Sequence, residues 1–159
     1  MTALPAAVVV ASNRAAAGVY ADTTGPLIVE ALRADGWSVS EPVVVPDGEP
    51  VADAIRAAVS GGARLVLTTG GTGLTPTDRT PEVTRPLLDR TVPGIADAIR
   101  AHGVAKGVPA AMLSRGVAGI SGAALVVNLP GSSGGVRDGL EVVVPVLRHA
   151  VEQILGSDH

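Results

Sequence analysis

The 159-residue chain has no cysteine and no phenylalanine, and Trp37 and Tyr20 are its only tryptophan and tyrosine. Without cysteine there are no disulfides, no thiolate nucleophile and no cysteine-bound structural zinc; this composition suits a reducing compartment, and the expected location is the cytoplasm. Two rings cannot supply the row of stacking platforms that single-stranded nucleic acid requires. Twelve basic against fifteen acidic side chains, a net charge of −3, argue against the extended basic footprint of a duplex-DNA binder. Any phosphate ligand must therefore be held locally. No apolar run reaches the roughly 20 residues of a membrane span. The apolar stretch within Met1 to Ser12 lacks the basic lead of a signal peptide, so a soluble protein is expected.

What is present is an aliphatic core: 47% of the residues are hydrophobic, chiefly Val, Leu, Ile and Ala. That suits a Val-rich parallel sheet covered by Ala-rich helices, and the length suits a single domain spanning 1–159. Ala6 to Ser12 reads as a strand buried on both faces, followed by a loop from Asn13 to Asp22. A helix capped by Thr23 or Thr24 runs to about Asp35. Trp37 to Val45 reads as a strand interrupted at Pro42. Apolar residues at Val51, Ala54, Ile55, Ala58 and Val59 predict a helix from Pro50 to about Gly61, and Arg64 to Thr69 the next strand. Thr80, Pro81 and Glu82 read as an N-cap, a proline at the first helical position and an early acid, opening a helix to Asp89. A further helix is expected from Pro93 to about Gly103, then strands at Val117 to Ser121 and Ala124 to Leu129. The last helix starts near Val136, with Pro145 expected to bend it.

This alternation predicts an α/β fold, a three-layer α/β/α sandwich with a mostly parallel sheet. Ligands of such sheets sit outside the carboxyl ends of the strands. Four loops are expected there: Asn13 to Asp22, Pro46 to Glu49, Gly70 to Glu82 and Pro130 to Gly135. The glycines of the last two allow backbone N–H groups to approach an anion, although tight turns alone would also use them. Neither a Walker P-loop nor a Rossmann fingerprint occurs. Asp47 and Asp78 lie on separate loops of this face, and two carboxylates beside phosphates are the usual protein share of a Mg²⁺ site. Arg14, Arg79, Arg115 and Arg137 are the nearest cations, and Ser12, Thr72, Thr75 and Ser132 offer hydroxyls. His102, His149 and His159 form no metal-binding pattern, and no Ser-His-Asp set supports covalent catalysis.

The run Thr69-Gly70-Gly71-Thr72-Gly73, continuing through Asp78 to Thr80-Pro81-Glu82, together with Asn128-Leu129-Pro130-Gly131-Ser132, closely resembles the MoaB/Mog family of molybdenum-cofactor biosynthesis proteins. Ser12-Asn13-Arg14, Pro46-Asp47, Pro93-Gly94 and Ser114-Arg115 match in the same order. The resemblance implies a molybdopterin-binding fold, a homotrimer, and adenylylation of molybdopterin by Mg-ATP with release of pyrophosphate, a nucleotidyltransferase activity. It also implies Mg²⁺ as cofactor, ATP as co-substrate and the molybdenum-inserting enzyme of the same pathway as a partner. By the same resemblance Asp47 and Asp78 serve both metal and reaction. It places Gly70, Gly71, Gly73 and Gly131 to hold pterin and nucleotide phosphates, and Ser12, Thr69, Thr72, Leu74, Ser114, Arg115, Pro130 and Ser132 complete the expected ligand-binding set.

Two departures stand out. Many relatives carry an acid where this chain has Asn13, and a proline where it has Ser133. A carrier that holds molybdopterin without adenylylating it is an alternative. A dinucleotide-pyrophosphate hydrolase of the CinA type is another, disfavoured because such chains carry a further domain.

Overall fold

The computed structural model describes residues 2–157; His159 lies outside the described residues. Continuous apolar runs become strands because both of their faces are covered. The strands are β1 (Pro5–Ala11), β2 (Ser38–Val39), β3 (Val43–Val45), β4 (Leu65–Thr69), β5 (Arg90–Thr91), β6 (Ala118–Ser121) and β7 (Ala124–Leu129). They form one sheet in the order β2-β1-β4-β7-β6-β5, with β3 also paired to β1. The pairings of β1 with β2, β3 and β4, and of β4 with β7, are parallel; β5–β6 and β6–β7 are antiparallel.

The helices are α1 (Asn13–Ala16), α2 (Thr24–Ala34), α3 (Glu49–Ser60), α4 (Thr80–Thr84), α5 (Pro93–Ala105) and α6 (Ser133–Ile154). Alternate strand residues feed opposite layers. Val8, Leu65, Leu67, Leu125, Val127 and Leu129 pack with Ile28 and Leu32 of α2, Ile99 of α5 and Leu140 and Leu147 of α6. Val9, Val66 and Val126 pack on the other face with Val51 and Ile55 of α3 and, near its margin, Val83 and Leu87. The result is the expected three-layer sandwich. No helix among the described residues is long and apolar enough to cross a membrane.

Several boundaries differ from the sequence expectation. The strand expected over Trp37 to Val45 splits at Pro42 into β2 and β3, because proline cannot donate to the ladder. The segment after β1 begins with the helical turn α1, whose N-terminal amide at Ala15 is capped by Ser12 Oγ at 3.1 Å. The helix expected from Pro81 to Asp89 stops at Thr84 and tightens into a 3-10 turn over Arg85–Leu87 that contains Pro86. Thr80 is not its side-chain cap: the hydroxyl turns instead to Asp47 Oδ1, at 3.3 Å. At α2 the first-turn amide of Gly25 is taken by Asp22 Oδ1 at 3.1 Å, and Thr23 makes no side-chain cap. The last helix begins earlier than expected, at Ser133, and continues through Pro145. The two-residue β5 and a 3-10 segment at Pro109–Leu113 carry no pattern in the sequence.

Candidate functional site

Parallel pairing places the carboxyl ends of β1, β3, β4 and β7 on one rim, so the four loops that follow them meet there. Their contacts are direct. Asn13 Oδ1 accepts from Asp47 N at 3.0 Å, joining the loops after β1 and β3. Thr69 Oγ1 donates to Pro130 O at 2.6 Å, joining those after β4 and β7.

Glycine is required at the crossing point. Gly70 has φ +90°, and a Cβ there would strike the carbonyl oxygen of Ala11. Gly71, at φ +70°, leaves room for Asp47 Oδ2 and Thr80 Oγ1, which a Cβ would overlap. Gly131 packs directly over Gly70.

Asp47 is half-buried in the turn before α3, behind Gly71. Its Oδ1 accepts from Gly48 N at 2.6 Å, and its carboxylate accepts from Arg79 N at 3.2 and 3.3 Å. The residue preceding Arg79 is Asp78, whose Oδ2 accepts from Thr75 N at 3.1 Å. The two aspartates thus share one rim, and Arg115 feels the charge of both.

Arg115 closes the loop between β4 and α4 on itself. Its backbone N donates to Thr72 O (2.8 Å), Nε to Gly73 O (2.8 Å), Nη2 to Asp78 O (2.8 Å) and Nη1 to Glu82 Oε2 (2.6 Å). The hydrogen bond from Arg115 holds the Glu82 carboxyl below its ordinary range, and the same bond, with the charges of Asp78 and Asp47, raises Arg115.

Beside this rim lies a cleft of about 590 Å³. One side is Gly71, Thr72, Gly73, Leu74 and Asp78; another is Pro130, Gly131, Ser132, Gly134 and Gly135. Much of the remaining lining is apolar, from Ile99, Gly103, Val108, Ala111 and Leu113, and Ser114 also lines it. The glycine turn leads into α6, where Ser132 Oγ caps Gly135 N at 3.0 Å. An anion at the start of a long helix meets unpaired N–H groups and the positive end of its dipole.

The sequence-derived residues separate into groups. Gly71, Thr72, Gly73, Leu74, Asp78, Ser114, Pro130, Gly131 and Ser132 line the cleft. Asp47 stands behind it, as just described. Ser12, Thr69 and Gly70 border a smaller cavity of about 230 Å³, with Tyr20, Asp22 and Thr24, and Gly131 borders both. Thr69 has its hydroxyl committed to Pro130, and Arg115 has its guanidinium committed to the loop. Arg137 faces a groove against Leu27, Glu30 and Ala31 of α2, outside the cleft.

Two charged residues of the cleft escaped the sequence reading. Arg100 of α5 donates to Ser114 O and Gly116 O, both at 3.2 Å, and so anchors the strand entry beside the cleft. Asp138 of α6 also lines it. Helical periodicity places both on a helix but does not say which groove each overlooks. A buried polar chain backs the rim. Thr84 Oγ1 donates to Thr80 O at 2.7 Å, and Asn128 Nδ2 donates to Thr68 Oγ1 at 2.9 Å and Thr84 Oγ1 at 3.3 Å.

Fold and site together define an α/β domain with a glycine-walled cleft, Asp78 at its edge and Asp47 behind Gly71. Comparison with known proteins narrows that class. A family described as "Probable molybdopterin binding domain" matches residues 7–149, and the chain belongs to it. A molybdenum cofactor biosynthesis bifunctional protein of Chlorobaculum tepidum is 37% identical over 155 residues, 96% of this chain and 49% of that protein. The chain thus spans about half the length of the bifunctional relatives it matches. A molybdopterin adenylyltransferase of Helicobacter pylori is 37% identical over 151 residues, covering 92% of this chain and 85% of that protein. The solved structure of a Mog molybdopterin biosynthesis protein from Mycobacterium ulcerans is 53% identical, with a TM-score of 0.91 over 96% of this chain and 99% of that one.

Proposed function

We propose that this chain, acting as one domain, is a molybdopterin adenylyltransferase of molybdenum-cofactor biosynthesis. The observation that carries the reading is the single rim on which the two glycine turns, Asp78 and Asp47 meet at a cleft with apolar walls. The match to an adenylyltransferase over 85% of its length supports it.

In the reaction a terminal phosphate oxygen of molybdopterin attacks the α-phosphorus of ATP. The new O–P bond replaces the α–β bridge bond, and pyrophosphate leaves with that bond's electron pair. The attacking oxygen is already ionised, so the chain needs no general base. Its task is positioning and charge management. The N–H groups of the Gly71–Gly73 turn and of the Gly131–Gly135 entry to α6 hold two polyanions side by side. Glycine at these places lets both come close to the backbone, and Arg115 fixes the first turn in shape.

The donor set at the rim fits Mg²⁺. Two carboxylates are hard oxygen ligands, and this ion keeps waters and completes its shell from phosphate. Asp78 and Asp47 would hold or orient it, and when bound it would offset the repulsion between the two phosphorylated ligands. Assembly as a homotrimer and transfer of product to a molybdenum-inserting enzyme in the cytoplasm belong to the same reading; mass measurement in solution tests the first.

The deciding experiment is incubation of the protein with molybdopterin and Mg-ATP. Stoichiometric pyrophosphate with adenylylated molybdopterin is expected. Tight molybdopterin binding without pyrophosphate would make the chain a carrier.

A further inference from the structure

One charged side chain of the cleft, Asp138 of α6, has no role in the proposed transfer. Asp138 lies five residues beyond Ser133, about 8 Å along the helix from the start of α6. It lines the same cleft, and its side chain is only 20% exposed. Its one ionic partner is Lys106 Nζ at 3.9 Å, beyond hydrogen-bonding reach, while that ammonium lies nearer to Glu141, at 3.4 Å from each oxygen. Among the described residues Asp138 accepts no side-chain hydrogen bond.

A carboxylate four-fifths buried in a cleft and bonded to no donor of the chain keeps lone pairs for a ligand. The other charged groups of the cleft are engaged. Asp78 Oδ2 is held by Thr75 N, and Arg100 is bonded to Ser114 O, Gly116 O and Asp97 Oδ1. The same cleft is lined by the aliphatic side chains of Ile99, Val108 and Ala111. An aliphatic lining beside a carboxylate suits a heterocycle whose edge carries N–H donors.

We propose that Asp138 reads the ring of the phosphorylated ligand, accepting two parallel hydrogen bonds from a 2-amino-4-oxopyrimidine edge. This rests on the molybdopterin reading above. A pterin presents an amine and a ring N–H side by side, a donor pair that a carboxylate accepts as a fork. Adenine presents an amine beside a bare ring nitrogen, which offers one bond and one repulsion. Of the two ligands in the proposed reaction, the pterin therefore occupies the end of the cleft at Asp138, and the nucleotide lies elsewhere on the rim. Asp138 is a specificity-determining residue in this assignment and takes no part in bond making.

The test uses the full chain and stable probes: a 6-substituted pterin monophosphate and the matching lumazine monophosphate, in which an oxygen replaces the 2-amine. Wild type is expected to bind the pterin at least about tenfold more tightly than the lumazine, since a site built for a donor leaves its acceptor unpaired against the wrong group. Asp138→Asn is expected to bring the two within about twofold, because an amide offers only one acceptor. Asp138→Glu restores part of the preference. Lys106→Ala, which removes the neighbouring charge alone, keeps it. Equal binding of both probes by wild type, or an undiminished preference in a folded Asp138→Asn, overturns the proposal. GMP carries the same edge on a purine; binding tighter than that of the pterin phosphate would overturn the assignment to pterin. In turnover, Asp138→Asn is expected to raise KM for molybdopterin at least about tenfold with kcat and the KM for ATP kept, and a fall in kcat alone would count against it. Failure of wild type to release pyrophosphate would overturn the proposed activity and leave the ring-recognition result standing.

Discussion

Arg115 Nη1 lies 2.6 Å from Glu82 Oε2, and this pair locks the segment entering β6 onto the first turn of α4. Everything between Thr72 and Glu82, Asp78 included, is enclosed by that contact and by the three other bonds Arg115 makes. The residue serves as the splint of the loop, and its charge also reaches Asp78 and Asp47 on the rim.

The pair makes loop order pH-dependent. Glu82 releases its proton more readily in the folded protein, where Arg115 bonds to it, than at the ordinary value of 4.5. Its contribution is complete above that value and declines as pH falls through the lower folded one. Amide exchange across residues 72–79 is expected to speed up as pH drops below about 4.5, after correction for intrinsic rates. In Glu82→Gln the exchange should already be fast at neutral pH and show no such step.

Asp78→Asn is expected to lower kcat for pyrophosphate release by about 100-fold or more, the order seen when one electrostatic contact to a transition state is lost. Binding of molybdopterin should persist. Asp47→Asn should act in the same direction with an added loss of stability, because its carboxylate also collects the amides of Gly48 and Arg79 and the Thr80 hydroxyl. Steady-state kinetics with thermal melts of both variants separate the two effects.

Gly70→Ala forces a side chain into left-handed backbone and against the Ala11 carbonyl. The conformational part alone costs about 1–2 kcal/mol, and the clash adds to it. Urea denaturation is expected to show at least that loss. Gly134→Ala, which meets nothing within contact range, should stay near wild type in the same assay.

Asn128→Ala removes the acceptor of Val117 N and the donor to Thr68 and Thr84 in a nearly sealed position. Leaving those groups unpaired is expected to cost about 2 kcal/mol or more. Because Thr84 in turn bonds to Thr80 O, next to the Asp47 contact, activity should fall further than stability accounts for. Comparing kcat at temperatures where the variant is fully folded checks this.

The central strands were legible because Val8–Val10, Leu65–Leu67 and Leu125–Val127 are buried on both faces, which leaves a plain apolar run in the chain. β5 was not: Arg90 and Thr91 are exposed and polar, and their pairing with β6 is imposed by what surrounds them. The break at Pro42 was visible, but not that both halves would lie along β1. At the site, glycine clusters and loop aspartates announced themselves by residue type and by their place after strands. The roles of Arg115 and Thr80 did not, since each depends on contacts 33 to 42 residues away. Asp138 and Arg100 were hidden for a related reason: helix packing, not spacing, decides that they overlook the cleft.

The scarcity of aromatic side chains leaves the protein with a built-in pair of optical reporters. Trp37 is sealed beneath Arg148 at the amino-terminal edge of the sheet, beside the pairing of Ser38 with Pro5. Tyr20 is half-exposed at the opposite rim, 3.1 Å from Ser12 Oγ. Tryptophan emission will therefore follow global unfolding and ignore ligands at the rim, while tyrosine absorbance follows the rim itself, so occupancy and denaturation can be recorded separately in one cuvette without any label.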